Sequence, residues 1–251
     1  MKPNSISRWS DCLLKWGHTT MPKIAILHTS FVFVSVEPMI NNLMAELIPD
    51  ASAIHFVDSD VLATVIREKG ISAASETRMT RLAEAAEAAG ADIIFSACSS
   101  LGPALDVAAR KVGIPVVKID EAMAIEAASR GTRIGVLATV PTTLKPTCDL
   151  VMAKAREKQR TVTTTPRLCE GAFDILMAGD RVRHDQMVSD QAAALAKDVE
   201  VIILAQASMA RLAAPLQALT GIPVLASPRM GIEYLAAKVA ELERERVKRY
   251  L

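Results

Sequence analysis

The chain has 251 residues, 51% of them apolar but only 4% aromatic, and a net charge of +1. A core on this scale must be built from Ala, Val, Ile, Leu and Met, and the near-neutral charge without a sustained basic block argues against nucleic acid or an anionic membrane as partner. No apolar run approaches the roughly 20 residues of a membrane span, and Cys12, Cys98, Cys148 and Cys169 lack metal-type pair spacing, which points to a reducing cytoplasm.

Residues 1–20, with Cys12, lack the long apolar centre of a signal peptide and read as an N-terminal extension, poorly ordered and marginal to the fold. From Met21 onward, short β-branched runs alternate with Ala-rich stretches, the pattern of βα units and a parallel sheet. The first lobe, 21–130, reads as strands over 23–28, 53–57, 92–97 and 115–118 and helices over 38–48, 60–68, 77–89, 101–111 and 121–129. Helical spacing is clearest at Leu82, Ala85, Ala86 and Ala89. The second lobe, 131–251, reads as strands over 132–138, 161–165, 200–205 and 223–226 and helices over 143–158, 172–178, 185–197, 209–219 and 230–249. The last helix ends in a solvated charged face from Glu243 and is free to pack back on the first lobe. Cys148, mid-helix, reads as core.

The two lobes are copies of each other. Asp92-Ile-Ile-Phe-Ser-Ala-Cys98-Ser-Ser, running on to Gly113-Ile-Pro-Val, returns as Glu200-Val-Ile-Ile-Leu-Ala-Gln206-Ala-Ser, running on to Gly221-Ile-Pro-Val, an offset of 108 residues. Lys23-Ile-Ala-Ile-Leu-His-Thr29 likewise matches Arg133-Ile-Gly-Val-Leu-Ala-Thr139, at an offset of 110. The copies differ where it matters chemically: Cys98 offers a thiol, Gln206 a neutral amide. The expected fold is therefore α/β with two pseudo-symmetric lobes, each a four-stranded parallel sheet flanked by helices. Ligands of such sheets bind beyond the carboxyl ends of the strands, which places the site in the interlobe cleft.

Strand ends supply the candidate residues. Cys98 precedes Ser99, Ser100 and Pro103, helix-start signals whose unpaired amides favour a thiolate and attract a carboxylate. A buried packing thiol is the alternative, but the Ser-Ser pair and the polar Gln206 at the matching position favour a site residue. Ser99, Ser100, Thr139, Thr142 and Thr143 can cap helices and, equally, cradle a carboxylate. His28 and Thr29 end the first strand and Ser208 follows Gln206. Cys169, Glu170 and His184, the last beside Asp185, are candidates for a second acid/base. Met209 and Met230 read as packing. Arg167 and Arg229 are the only cations at these strand ends, which favours a monocarboxylate, or an acid that loses its second carboxyl, over a dicarboxylate.

The Cys98-Ser-Ser motif, its duplicate half a chain later, and Ile134-Gly-Val-Leu-Ala-Thr139 followed by Val-Pro-Thr-Thr resemble the aspartate/glutamate/hydantoin racemase superfamily over about residues 22–245. The resemblance implies an isomerase working without metal or organic cofactor, in which one cysteine from each lobe moves protons on opposite faces of a carbon next to a carboxylate. Here Gln206 stands where the second cysteine belongs, and a carboxamide cannot cycle protons near neutral pH. The resemblance also covers arylmalonate decarboxylase-like members, which use one cysteine, and maleate isomerase-like members, in which a thiolate adds to an alkene. The expected function is cysteine acid/base chemistry on a small carboxylate substrate, by a racemase or by a one-cysteine decarboxylase, with Cys98 and Gln206 as the catalytic pair. A non-catalytic small-molecule binder is the alternative outside enzymes. The chain is expected to be cytoplasmic and homo-oligomeric, with no nucleic-acid or membrane partner.

Overall fold

The computed structural model describes residues 21–31 and 38–250; the extension over 1–20, with Cys12, lies outside the described residues. Strands β1 (Lys23–His28), β2 (Ser52–Val57), β3 (Ile93–Ser96) and β4 (Val116–Lys118) form one parallel sheet, and β5 (Arg133–Ala138), β6 (Thr163–Leu168), β7 (Val201–Leu204) and β8 (Val224–Ala226) a second. The strand orders are β2-β1-β3-β4 and β6-β5-β7-β8. The sequence repeat is kept down to register. Ile24 pairs with Ile93 and Ile94 with Val116, as Ile134 pairs with Val201 and Ile202 with Val224. β1, β3, β5 and β7 are covered on both faces, which explains their near-continuous apolar runs.

The helices are α1 (Met39–Leu47), α2 (Val61–Arg67), α3 (Ala73–Ala88), α4 (Gly102–Ala108), α5 (Glu121–Arg130), α6 (Pro141–Glu157), α7 (Ala172–Met177), α8 (Arg181–Leu195), α9 (Ala213–Thr220) and α10 (Ser227–Tyr250). Three boundaries move from the sequence reading for identifiable reasons. α3 starts four residues earlier than expected because Ser72 caps it, accepting from the Ser75 amide. α8 likewise starts at Arg181, because the Asp180 carboxylate accepts from the Arg183 amide. β6 runs on through Pro166 to Leu168, beyond the expected end at 165; β6 is an edge strand, where Pro is tolerated.

One packing feature crosses the lobe boundary in both directions. α5 follows the first sheet in sequence, yet Met123, Ala124 and Ala127 pack with Ile134, Val136, Val201 and Ile203 of the second. α10 follows the second sheet, yet Ile232, Leu235 and Val239 pack with Ile24, Ile26, Ile93 and Phe95 of the first. At Gly231 the contact is so close that an added Cβ would lie 2.4 Å from the Ile119 carbonyl oxygen. Residues 121–130 thus belong to the first lobe by sequence and to the second by core.

Candidate active site

The strand ends of the two sheets enclose a cavity of about 400 Å³. His28 and Thr29 beyond β1 and Cys98, Ser99 and Ser100 beyond β3 line it from the first lobe; Val140, Thr143, Gln206 and Ser208 line it from the second. Leu62 and Ile66 of α2 face it on one side and Phe173, Leu176 and Met177 of α7 on the other, making an apolar wall. Arg181 and Arg211 bring positive charge.

Cys98 is the one thiol, among the described residues, that lines this cavity. It is extended (φ −139°, ψ 111°) and sits immediately before the 3-10 turn Ser99–Leu101, which leads into α4 through Gly102-Pro103. The expectation of a thiol lowered by this helix start is corrected. Burial pushes the Cys98 thiol up, against weaker opposing hydrogen bonds from the Thr29 hydroxyl and the Leu101 and Ser100 amides, and the nearby Asp120 carboxylate pushes it up further. The amides are there, but enclosure outweighs them.

Gln206 holds the matching position, extended (φ −125°, ψ 143°) before the 3-10 turn Ala207–Leu212. Its carboxamide is committed to its own lobe. Oε1 accepts from the Thr139 amide at 3.0 Å, while Nε2 donates to Thr143 Oγ1 at 3.0 Å and to the Val140 carbonyl at 3.4 Å. Thr143 in turn donates to Val140 at 2.7 Å. The side chain clasps the start of α6 to the end of β7, and both its amide hydrogens are used within the lobe.

The hydroxyl candidates divide. Ser100, Thr143, Thr29 and Ser208 line the cavity. Thr142 does not, but meets Ser100 across the lobe boundary at 3.4 Å. Thr139 is buried behind the clasp with its hydroxyl unpartnered. Ser99, the first residue of the 3-10 turn, lines the cavity as well. His28 is buried, with Nε2 3.0 Å from His55 Nδ1; burial first, and His55 second, lower its pKa to about 4, so it is neutral at pH 7.

The proposed second acid/bases are displaced from the cavity. Cys169 and Glu170 line a separate groove with Arg167, Met187, Asp190 and Gln191, and burial pushes the Cys169 thiol up to about 11. They follow β6, the edge strand of the second sheet, which β5 separates from β7 and Gln206. His184 is fully buried and acts at one remove: Nδ1 meets Asp185 at 2.8 Å, and Asp185 grips Arg211 with both oxygens. Arg229 pairs with Glu46 on α1, at 2.8 and 2.9 Å. Cys148 and Met209 are core, as expected.

Sequence reading missed Arg181, Arg211 and the apolar wall. Phe173, Leu176 and Met177 fall at i, i+3 and i+4, a spacing that reads as core-facing. Among the described residues, no three His, Cys, Asp or Glu side chains gather as a metal site would require, and no helix is long and apolar enough to cross a membrane.

Solved structures share this fold at low identity. Glutamate racemase from Francisella tularensis, in complex with D-glutamate, matches with a TM-score of 0.70 and 13% identity over 89% of this chain and 82% of its own. Allantoin racemase from Klebsiella pneumoniae gives 0.58 and 18% over 87% and 88%, and a sulfate-associated mutant of arylmalonate decarboxylase 0.54 and 17% over 88% and 94%. No curated protein matches the sequence. The Asp/Glu/hydantoin racemase family model, however, matches residues 34–235, and with the two like-ordered sheets closing on one cavity this makes the chain a member of the Asp/Glu/hydantoin racemase family.

Proposed function

We propose that this protein is a one-thiol enzyme that decarboxylates a malonate-like acid carrying an apolar substituent, with Cys98 protonating one face of the resulting enediolate. The observation that carries the reading is that Cys98 is the one cysteine, among the described residues, on the cavity, opposite a Gln206 amide already committed to hydrogen bonds. A two-base racemisation needs a proton carrier on each face, and Gln206 supplies none.

The steps follow from the lining. One carboxylate of the substrate lies against the 3-10 turn amides and the Thr29 and Ser100 hydroxyls, an anion nest without formal charge. The other lies against the apolar wall, where a charged carboxylate is poorly solvated and neutral CO2 is not penalised. When the C–C bond breaks, its electron pair passes into the retained carboxylate as an enediolate. That pair then forms a C–H bond with the Cys98 proton; the S–H bond breaks, and the thiolate recovers a proton from water. A thiol raised by burial starts this sequence in its acid form, the form a donor requires.

The test is turnover of aryl- and alkylmalonates in D2O, beside simple α-substituted carboxylates. CO2 release with one deuterium per product, placed on one face, is expected, and Cys98→Ala should lower the rate by about 10²–10⁴ while leaving the fold intact. α-Hydrogen exchange of a monocarboxylate without CO2 release would transfer the protein to the racemases. Turnover surviving Cys98→Ala would end the reading, and iodoacetamide kinetics at Cys98 like those of free cysteine, with no turnover, would favour a binding protein.

A further inference from the structure

The cavity is polar at its floor and apolar at its mouth. His28, Thr29, Ser100 and Thr143 are all buried and surround the floor with Cys98. Toward solvent the lining changes: Ile66 on α2 and Met177 on α7 both line the cavity, yet they are 39% and 65% exposed. Two more exposed apolar side chains adjoin lining residues in the chain, Phe31 after Ser30 and Val182 after Arg181. Four of the seven large apolar side chains exposed among the described residues thus belong to this mouth or adjoin it, which is not the single scatter of an ordinary surface. The helix α7 repeats the point. It buries Ala172 alone, while Phe173, Leu176 and Met177 are turned to the cavity. Binding sites usually run the other way, with an apolar interior and a polar rim.

We propose that the apolar substituent of the substrate is a straight aliphatic chain of about eight or more carbons, so that the site takes a single-chain amphiphile. Its anionic head lies on the floor and its tail leaves between α2 and α7. The chain length rests on the proposed placement of the carboxylate at the 3-10 turn, and not on the decarboxylation itself. Volume sets the scale. At roughly 30 Å³ for a group the size of a water molecule or a methylene, the cavity of about 400 Å³ takes about a dozen. A malonate head and about six methylenes fill it, and further methylenes lie along Ile66 and Met177, whose exposed surface a compact aryl group would leave wet. The opposite pose, with the head on Arg181 and Arg211, is the poorer one. Arg211 is already gripped by Asp185, and a chain laid on the floor would strip water from the Thr29, Ser100 and Thr143 hydroxyls with no partner in return.

Calorimetric titration of the full chain with hexanoate, octanoate and decanoate, each below its critical micelle concentration, should give one site whose Kd falls about two- to fourfold per added methylene. Decyltrimethylammonium and 1-decanol carry the same tail without the anionic head and should bind about tenfold more weakly, or worse, than decanoate. Ile66→Ser combined with Met177→Ser changes two exposed positions and should lower the ratio of decanoate to hexanoate affinity by about fivefold. An affinity that does not rise with chain length, or decyltrimethylammonium binding as well as decanoate, overturns the inference in the wild type alone. A ratio unmoved in the double variant overturns it too; if a dimer also dissociates in that variant during sedimentation, the mouth covers a second copy of the chain. The titrations need no turnover, so the two readings fail separately. Chain-length dependence without CO2 release from alkylmalonates removes the decarboxylation and keeps the long-chain site, and CO2 release from phenylmalonate with a flat titration series does the reverse.

Discussion

Replacing Gln206 by Ala deletes the clasp between β7 and the start of α6. Two of its bonds, from the Thr139 amide and to Thr143 Oγ1, are 3.0 Å long and worth about 1 kcal/mol each in net terms, while the 3.4 Å contact to Val140 adds less. Because Gln206 lines the cavity, water can take up part of the loss at the freed Thr139 amide. The expected cost is about 2 kcal/mol in urea unfolding followed by circular dichroism, or roughly 4–8 °C in Tm for a chain of this size. Turnover should fall as well, through KM, since Val140 and Thr143 form the wall that the clasp holds. Gln206→Glu keeps the length but turns an acceptor toward Val140 and Thr143 Oγ1, and should be no better than Ala at pH 7. A change below about 0.5 kcal/mol with unaltered KM would refute the reasoning, since it would make Gln206 an ordinary cavity side chain.

Gly231→Ala places a Cβ 2.4 Å from a backbone oxygen that cannot rotate away, so it should cost about 1–3 kcal/mol or more in thermal unfolding. His28 has its pKa lowered to about 4 by burial, so its neutral form is bound into the fold. Its contribution is fully present above the unfolded value near 6.5 and is lost as pH falls toward 4; on the order of 3 kcal/mol should go, and in His28→Gln the stability profile should be flatter across that window.

The fold was legible because its signals are local and repeated. Each Gly-Ile-Pro-Val copy marks the approach to β4 or β8, and each buried strand carries its own apolar run. The polar half of the cavity was legible for a related reason: in parallel sheets the carboxyl ends converge, so Cys98, Thr29, Thr143 and Gln206 were fixed by strand position alone. What stayed hidden depends on contacts between distant segments. Nothing local distinguishes Leu62 and Phe173, which face the cavity from helices of different lobes, from ordinary core residues. The commitment of Gln206 depends on two other segments, Thr139-Val140 and Thr143, whose proximity the chain does not announce. Cys98 was placed correctly and its acidity misjudged, because helix-start amides are visible in sequence and enclosure by the opposite lobe is not.

The crossing of α5 and α10 bears on how such a chain came to be one molecule. A single copy of the repeat, standing alone, would send its last helix away from its own sheet and leave one face of that sheet only partly covered, by α1 in the first lobe or α6 in the second. It could bury both only by trading helices with a second copy, as domain-swapped dimers do. Joining the two copies end to end makes the trade intramolecular, independent of concentration, and leaves each copy free to change alone. A thiol on one side and an amide on the other is a difference that no symmetric pair of identical subunits could hold.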